Sequence, residues 1–116
     1  MNPNPLTIAD KNAGEWKEHP RFKGIWVKPL LTAAENSLAN VNVVRVPPGK
    51  GIGSHTHGNQ VETIYVIAGK SILTLNGTEV AFQAGQIIAV SSSTEHSLRN
   101  EGPEMLELLT VFTPPQ

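Results

Sequence analysis

Two histidines and a glutamate lie close together near the middle of the 116-residue chain, bracketed by glycines. His55 and His57 are two residues apart, and Glu62 follows five residues after His57. On an extended strand the side chains of alternate residues point to the same face, so both imidazoles can reach one cation. Gly58 and Asn59 form a turn signal that lets the chain reverse and direct Glu62 towards the same ion. The spacing therefore predicts a metal site on a β-scaffold.

A fourth ligand has to come from one of the two remaining histidines, His19 and His96. His96 follows a turn glycine, a short apolar strand and a bend rich in serine and threonine, and it enters another strand. His19 precedes a proline in a polar N-terminal region, which is typical of an exposed loop. We therefore predict one divalent metal ion with four ligands: His55, His57, Glu62 and His96.

These residues resemble the first sequence motif of the cupin family. That motif has a glycine, five residues, His-x-His, four residues, a glutamate, six residues and a glycine. Every fixed position is met, by Gly49, His55, His57, Glu62 and Gly69. By chance, such a match in a chain this short is expected on the order of once in 10⁵ sequences. The remaining alternative is a domain that keeps the pattern without holding a metal, its histidines bonding only to polar neighbours.

The family's second motif is also similar to a stretch of this chain. Gly85, His96 and Asn100 occupy its glycine, histidine and asparagine positions, whereas Ser91 and Ser93 replace the usual proline and glycine of the bend. The replacement affects the path of the loop and removes no ligand. The resemblance implies an all-β jelly-roll barrel, the double-stranded β-helix, in a compact single domain.

Short runs of β-branched and aliphatic residues, separated by turn residues, agree with an all-β fold. The predicted strands are Gly24–Leu31, Ala39–Val46, Val61–Ile67, Ser71–Leu75, Thr78–Phe82, Ile87–Val90 and Met105–Phe112. Asn76-Gly77 is the strongest hairpin signal, because both central residues of a type I′ turn need positive φ. Residues 1–21 are polar and predict an N-terminal arm with Trp16 as its anchor, followed by a single domain at residues 22–116.

Composition excludes several classes of function. Nine basic and ten acidic residues nearly balance, and there is no basic run, so neither nucleic acid nor an anionic membrane is an expected partner. The chain has no cysteine, which removes disulfides and thiolate metal sites. It also lacks a signal-peptide pattern and any run of 18 apolar residues, so we expect a cytoplasmic protein. The expected partner is a small-molecule substrate or ligand.

Three imidazoles and one carboxylate around a divalent ion leave two adjacent positions of an octahedron for water, dioxygen or a bidentate substrate. Nitrogen and oxygen ligands without sulfur suit Fe, Mn, Ni, Cu, Co or Zn. Our first hypothesis is a small-molecule oxidoreductase of the dioxygenase type. The alternatives are a non-catalytic ligand-binding or sensing module, and a metal-dependent isomerase or decarboxylase.

Several other polar residues could act in the site, but ordinary structural roles are the commoner interpretation for most of them. Strand alternation turns Tyr65 away from the face of Glu62, which favours ordinary sheet packing. Arg45 and Arg99 could each bind a carboxylate bidentately, but an exposed strand arginine is the commoner case. Gln60 lies between ligands and has no assigned role. Asn100 is interpreted as a turn or strand-edge hydrogen bonder, because amides are weak ligands for these metals.

We also predict a homodimer. A lone β-sandwich of this size exposes strand edges, and exposed edges tend to be paired or hidden. The segment Gly24–Leu31 carries apolar material that could cover such an edge: Ile25, Val27, Leu30 and Leu31, flanked by Trp26. The alternative is that this segment is an inner strand of the monomer.

Overall fold

The computed structural model describes residues 8–56 and 58–115, and within them it contains ten β-strands and no helix. The strands are β1 Lys17–Glu18, β2 Trp26–Leu31, β3 Asn40–Val46, β4 Gly51–His55, β5 Val61–Ala68, β6 Lys70–Leu75, β7 Thr78–Gln83, β8 Ile87–Val90, β9 His96–Arg99 and β10 Leu106–Thr113. The predicted all-β class is confirmed. In this part of the chain there is accordingly no helix of a length and hydrophobicity that would cross a membrane.

The strands form two antiparallel sheets that face each other. One sheet has six strands in the order β1-β2-β3-β10-β5-β8, and the other has four in the order β4-β9-β6-β7. Strands that are neighbours in a sheet are mostly distant in sequence, as in a jelly roll, where the chain alternates between the sheets. The sheets remain two separate hydrogen-bonded units, and packing between them encloses the interior. The arrangement is the expected double-stranded β-helix.

The core lies between the sheets, and strand alternation directs its residues inwards. On β5, Glu62, Ile64 and Val66 point inwards and are buried, whereas Val61 and Tyr65 point outwards and are exposed. Equivalent inward residues of the other strands complete one cluster, including Ile25, Val44, Val46, Leu73, Phe82, Val90, Leu98, Leu106 and Leu108. Each such aliphatic side chain stabilises the fold by about 1.5–3 kcal/mol relative to an exposed position. The scaffold around the candidate site therefore rests on apolar packing.

The predicted hairpin between β6 and β7 is confirmed. Leu75 pairs with Thr78 across a two-residue turn, in which Asn76 has φ 47° and Gly77 has φ 85°. Asn76 also connects the hairpin to the bend before His96, because its backbone N–H donates to Glu95 O at 2.8 Å and its Oδ1 accepts from Glu95 N at 3.0 Å. The turn thus helps to position the start of β9.

The N-terminal segment crosses the outer face of the six-stranded sheet. The ring of Trp16 lies against the Arg45 guanidinium, 4.3 Å from its centroid, and against Lys28 Nζ at 4.6 Å. Lys11 Nζ forms an ion pair with Glu107 at 2.8 Å, and Arg45 binds the other oxygen of the same carboxylate at 2.8 Å. Trp16 therefore contacts the domain as an anchor would. Residues 1–7 lie outside the described residues, and the division at residue 21 stays a prediction.

Candidate metal centre

Two of the predicted ligands come from neighbouring strands of the four-stranded sheet. His55 is the last residue of β4 and His96 is the first of β9, and the two residues are directly paired in the antiparallel register. Residues directly opposite each other on antiparallel strands have Cβ atoms about 4.5–5.5 Å apart. The ring centroids lie 4.3 Å apart. Strand pairing thus brings together two imidazoles that are 41 residues apart in the sequence.

Glu62 approaches this pair from the opposite sheet. It lies on the inward face of β5, and the Gly58-Asn59 turn belongs to the connection that carries the chain from one sheet to the other. Glu62 Oε1 is 3.0 Å from His96 Nε2. One ligand atom from each of His55, Glu62 and His96 lies within 4.8 Å of the other two. The three side chains therefore converge as the ligands of a metal ion would.

Hydrogen bonds orient both imidazoles with one particular nitrogen towards the centre. His55 Nδ1 is 2.7 Å from Gly53 O, and His96 Nδ1 is 3.0 Å from Thr94 O. Because a carbonyl oxygen only accepts, both Nδ1 atoms donate, and the lone pair of each neutral ring is on Nε2. Metal-binding histidines characteristically use one nitrogen for the ion and donate the other N–H to a carbonyl or carboxylate. The donor set fits a divalent ion by this criterion.

The environment of His96 shows how a metal would compete with a proton. Burial on its own lowers the pKa of His96, but the hydrogen bonds to Glu62 and to the Thr94 carbonyl outweigh burial and raise the pKa above its ordinary value. The 3.0 Å contact between Glu62 Oε1 and His96 Nε2 therefore favours the protonated ring. A metal ion held by Glu62 and His96 would compete with that proton.

The second histidine of the His-x-His pair, His57, lies outside the described residues. The strand that carries His55 ends at His55, and Thr56 is already outside it. The argument that a continuous strand directs both rings to one face therefore does not extend to His57. The four-ligand set of His55, His57, Glu62 and His96 stays a prediction, of which three members are brought together.

A cavity of about 480 Å³ opens beside the three converged side chains. Its polar lining includes Asn42 on β3 and Thr110 on β10, which are directly paired, and Ser97 on β9. Sequence reasoning missed Asn42 and Thr110. A signal was present, because each is a polar residue in the inward phase of an apolar strand, two positions from the buried Val44 and Leu108 respectively.

His19 lies in a loop, as expected, but it is less exposed than expected. His19 is partly buried and lines the same cavity as His55, Glu62 and His96. Its ring packs against Phe22 with centroids 4.9 Å apart, and Phe22 in turn packs against His55 at 5.6 Å. The connection between β1 and β2 folds back over the cavity, which a local sequence pattern does not reveal.

Both arginines have structural roles remote from the cavity. Arg45 binds Glu107 and Trp16 on the outer face of the large sheet. Arg99 forms ion pairs with Glu79 at 2.8 Å and with Glu101 at 2.6 Å, all three side chains being substantially exposed. These contacts agree with the interpretation of Arg45 and Arg99 as ordinary strand residues.

Three further side chains are also accounted for. Tyr65 points outwards from the sheet and is 38% exposed, as alternation predicted. Gln60 Nε2 donates to Pro114 O at 3.2 Å. Asn100 is fully buried, and its Nδ2 donates to Val46 O at 2.9 Å and to Glu104 O at 2.7 Å. Asn100 therefore acts as the predicted strand-edge hydrogen bonder.

The fold and the converged His–Glu group define a class of protein, a double-stranded β-helix with a candidate metal site between its sheets. A sequence model of the cupin domain matches residues 42–112, which is more than half of the chain. The chain belongs to the cupin family.

Individual relatives and a solved structure agree with this assignment. An oxalate-binding protein from Thermotoga maritima is 34% identical over 69 residues, which cover 60% of this chain and 57% of that protein. A mannose-1-phosphate guanylyltransferase from Klebsiella pneumoniae is 28% identical over 104 residues, which cover 90% of this chain and 22% of that enzyme. The chain thus spans just over half of one relative and about a fifth of the other.

Among solved structures, one from Thermotoga maritima described as a predicted oxalate decarboxylase has a TM-score of 0.84 at 24% identity. The match covers 93% of this chain and 99% of that one. At this level of identity the likeness shows the fold.

Proposed function

We propose that this cupin holds one divalent metal ion through His55, His57, Glu62 and His96 and coordinates a small carboxylate on the remaining positions. The observation that carries the proposal is the convergence of His55, Glu62 and His96 within 4.8 Å beside a cavity of about 480 Å³. Neutral imidazoles with one carboxylate leave a divalent ion with a net charge of about +1, which attracts an anionic ligand. The name of the oxalate-binding relative supports the same class of ligand.

The chain's own residues make such a site suitable for a chelating ligand. Glu62 and His96 are buried, and the carbonyls of Gly53 and Thr94 fix the rings of His55 and His96. The ligand atoms are therefore positioned before a metal arrives, and little conformational entropy is lost on binding. When bound, the ion would supply Lewis-acid polarisation or, for Fe, Mn, Ni or Cu, redox chemistry with dioxygen.

The catalytic form of the proposal is an oxidoreductase of the dioxygenase type. It is tested by measuring oxygen consumption with iron-loaded and manganese-loaded protein across a panel of aromatic diols, diketones and small thiols. The His96→Ala variant, treated identically, is the control for chemistry by unbound metal. Uptake of oxygen by the wild type and not by the variant is the expected result, and equal uptake by both contradicts the assignment.

A second candidate is a non-catalytic carboxylate-binding module, which the name of the oxalate-binding relative favours. Calorimetric titration of oxalate into manganese-loaded protein, with oxygen uptake and carbon dioxide release measured on the same sample, distinguishes the two functions. Saturable binding combined with neither oxygen uptake nor release of carbon dioxide supports the binding module. Release of carbon dioxide from oxalate without net oxygen uptake would instead identify the decarboxylase that we also considered.

A further inference from the structure

The connection between β1 and β2 holds an imidazole at the rim of the cavity, separate from the candidate ligands. His19 N donates to Ile25 O at 2.7 Å, and Ile25 N donates to Phe22 O at 3.2 Å. Glu18 fastens the same loop, because its Oε2 accepts from Gly24 N at 2.8 Å. The backbone around His19 is therefore tied down at several points, and its ring occupies a defined position.

Hydrogen bonds also fix which nitrogen of His19 carries the proton. Nδ1 accepts from the backbone N–H of Arg21 at 3.0 Å and from that of Phe22 at 3.3 Å. An accepting nitrogen uses its lone pair, so the proton of the neutral ring is on Nε2. Burial lowers the pKa of His19, the charge of Arg21 lowers it further, and Glu62 opposes them. The neutral ring therefore presents Nε2–H as a donor.

His19 lines the same cavity as the candidate metal ligands. His19 contacts Phe22 at 4.9 Å between centroids, and Phe22 contacts His55 at 5.6 Å, so two ring contacts connect it to a metal ligand. His19, His55, Glu62 and His96 all line the one cavity. A ligand coordinated at the metal centre and extending towards the β1–β2 connection would meet this donor.

The rim and the interior of the cavity differ in chemistry. At the rim, Lys17 and Arg21 supply positive charge, while the carboxylate of Glu18 is bonded to Gly24 N. An anion is therefore attracted to the opening. Deeper in the cavity the lining is mainly apolar, with Val27, Val44, Ile52, Ile64, Leu73, Leu98, Leu108 and Phe112.

The cavity is larger than a binding site for oxalate, the smallest dicarboxylate, needs to be. Oxalate has six heavy atoms and would occupy at most ~180 Å³, taking about 30 Å³ for each water-sized atom. The cavity measures about 480 Å³. The excess volume is bounded mainly by aliphatic side chains, with Asn42, Ser97 and Thr110 as polar exceptions, and aliphatic surface favours a hydrocarbon group over water.

We propose that the ligand is a 2-oxo or 2-hydroxy carboxylate with an apolar side chain, and that His19 donates a hydrogen bond from Nε2 to one of its oxygens. The carboxylate and the 2-oxygen occupy the two open positions on the metal, and the side chain packs into the apolar interior. His19 is thus a ligand-binding residue that does not touch the metal. This inference rests on the proposed function, because it requires an ion held by His55, His57, Glu62 and His96.

The role of His19 is tested by removing its donor and keeping its acceptor. In His19→Asn, the side-chain oxygen can still accept from the Arg21 and Phe22 amides, but Nε2–H is lost. His19→Gln is the matched control, because its amide nitrogen can reach the position of Nε2 and restore a donor. Affinity of zinc-loaded protein for 2-oxopentanoate is measured by calorimetry. We expect His19→Asn to bind about 10- to 100-fold more weakly than wild type and His19→Gln to recover part of the loss.

The class of ligand is tested with a series of 2-oxo acids that share the chelating group and differ in the length of the side chain. Pyruvate, 2-oxobutanoate and 2-oxopentanoate are titrated into zinc-loaded wild type, and each added methylene should strengthen binding about fourfold if it is buried in the apolar interior. Equal affinity along the series, or tighter binding of oxalate than of 2-oxopentanoate, would overturn the assignment of an apolar side chain.

Which nitrogen of His19 carries the proton can be measured without metal or ligand. Nitrogen-15 NMR of the metal-free protein distinguishes the Nε2–H from the Nδ1–H tautomer, and we expect Nε2–H. Finding Nδ1–H, or equal ligand affinity of His19→Asn and wild type at equal zinc content, would overturn the role of His19 and leave the proposed function standing. Absence of zinc from the wild type would overturn the proposed function, and the inference with it.

Discussion

At the scale of single residues, the candidate centre depends on which atom each side chain presents. His55 and His96 donate Nδ1–H to the carbonyls of Gly53 and Thr94, so that Nε2 of each ring is the nitrogen left to bind an ion. Glu62 lies within hydrogen-bond distance of His96 Nε2 in the buried interior. The two histidines are thus oriented by backbone carbonyls that would not themselves bind the ion.

The first prediction concerns His57, which its position in the motif predicts to be the fourth ligand. His57→Ala should lower the bound metal sharply and leave the domain folded, because aliphatic strand residues carry the core. Metal content by elemental analysis and folding by circular dichroism are the measurements, with Thr56→Ala in the same connection as the matched control. Any difference in melting temperature should vanish when metal is removed from both proteins, since it arises from ligand linkage. If His57→Ala is unfolded without metal while metal-free wild type is folded, the prediction is wrong.

The second prediction concerns pH. Metal binding needs neutral imidazoles, whose ordinary pKa is near 6.5, and an ionised Glu62, so protons compete with the ion as pH falls. The raised pKa of His96 means that proton binding stabilises the metal-free fold at low pH, and that this contribution is lost as pH rises through the raised value. Competition with the metal therefore begins above pH ~6.5 and steepens below it.

The measurement is competition with a chelator of known pH dependence. With His55, His57 and His96 all bound to the ion, the slope of log affinity against pH should approach about three in the acid limit. A slope near one would show that most of these histidines do not touch the metal.

At the scale of structural elements, Asn100 joins the loop after β9 to β3. Its Nδ2 donates to Val46 O and Glu104 O, its Oδ1 accepts from Gly102 N at 3.0 Å, and its backbone pairs with Gly49 and Lys50. These contacts hold β4 and β9 beside each other at the end remote from His55 and His96. The asparagine of the motif therefore supports the centre through the strands and not through the ion.

The third prediction is that Asn100→Asp lowers the free energy of unfolding by about 3 kcal/mol or more, since a buried carboxylate cannot donate to two carbonyls. Urea unfolding of the metal-free protein is the measurement. Asn36→Asp is the matched control, because Asn36 Oδ1 only accepts from Leu38 N, at 2.9 Å, and aspartate keeps that acceptor. An unchanged unfolding midpoint for Asn100→Asp would contradict the structural role.

At the scale of the whole molecule, the site is a product of two sheets that face each other. His55 and His96 come from the four-stranded sheet, whereas Glu62, Asn42 and Thr110 come from the six-stranded sheet. Closure of the metal centre and of the cavity therefore requires the sheets to be packed. The apolar core supplies that packing independently of any ion.

The fourth prediction is the homodimer. In the six-stranded sheet the short β1 pairs only with Trp26 and Val27 of β2, and the remainder of β2, from Lys28 to Leu31, has no strand on that side within the described residues. Trp26 is 40% exposed beside this edge. Because open edges tend to be covered, we expect a dimer through β2.

Light scattering at tens of micromolar should give a dimer mass for the wild type. Trp26→Lys should shift the mass towards the monomer. Ile87→Lys, which places the same charge on β8 at the opposite edge of the sheet, should leave the dimer intact. A monomer mass for the wild type rules out the proposed association.

The sequence by itself predicted seven of the ten described strands, β2, β3, β5, β6, β7, β8 and β10, to within about two residues, together with the Asn76-Gly77 hairpin and the convergence of His55, Glu62 and His96. It gave no bounds for β4 and β9, and it missed β1, which lies in the predicted arm. Strand alternation and turn chemistry are local properties, and the spacing of the two motifs is written in the chain. It did not predict that β4 ends at His55, or that His19 and Thr110 line one cavity with the candidate metal ligands. Those relations depend on how two sheets pack and on where the β1–β2 connection folds back. Contacts between residues far apart in the sequence determine the packing of the sheets and the path of this connection, and local propensity does not predict such contacts.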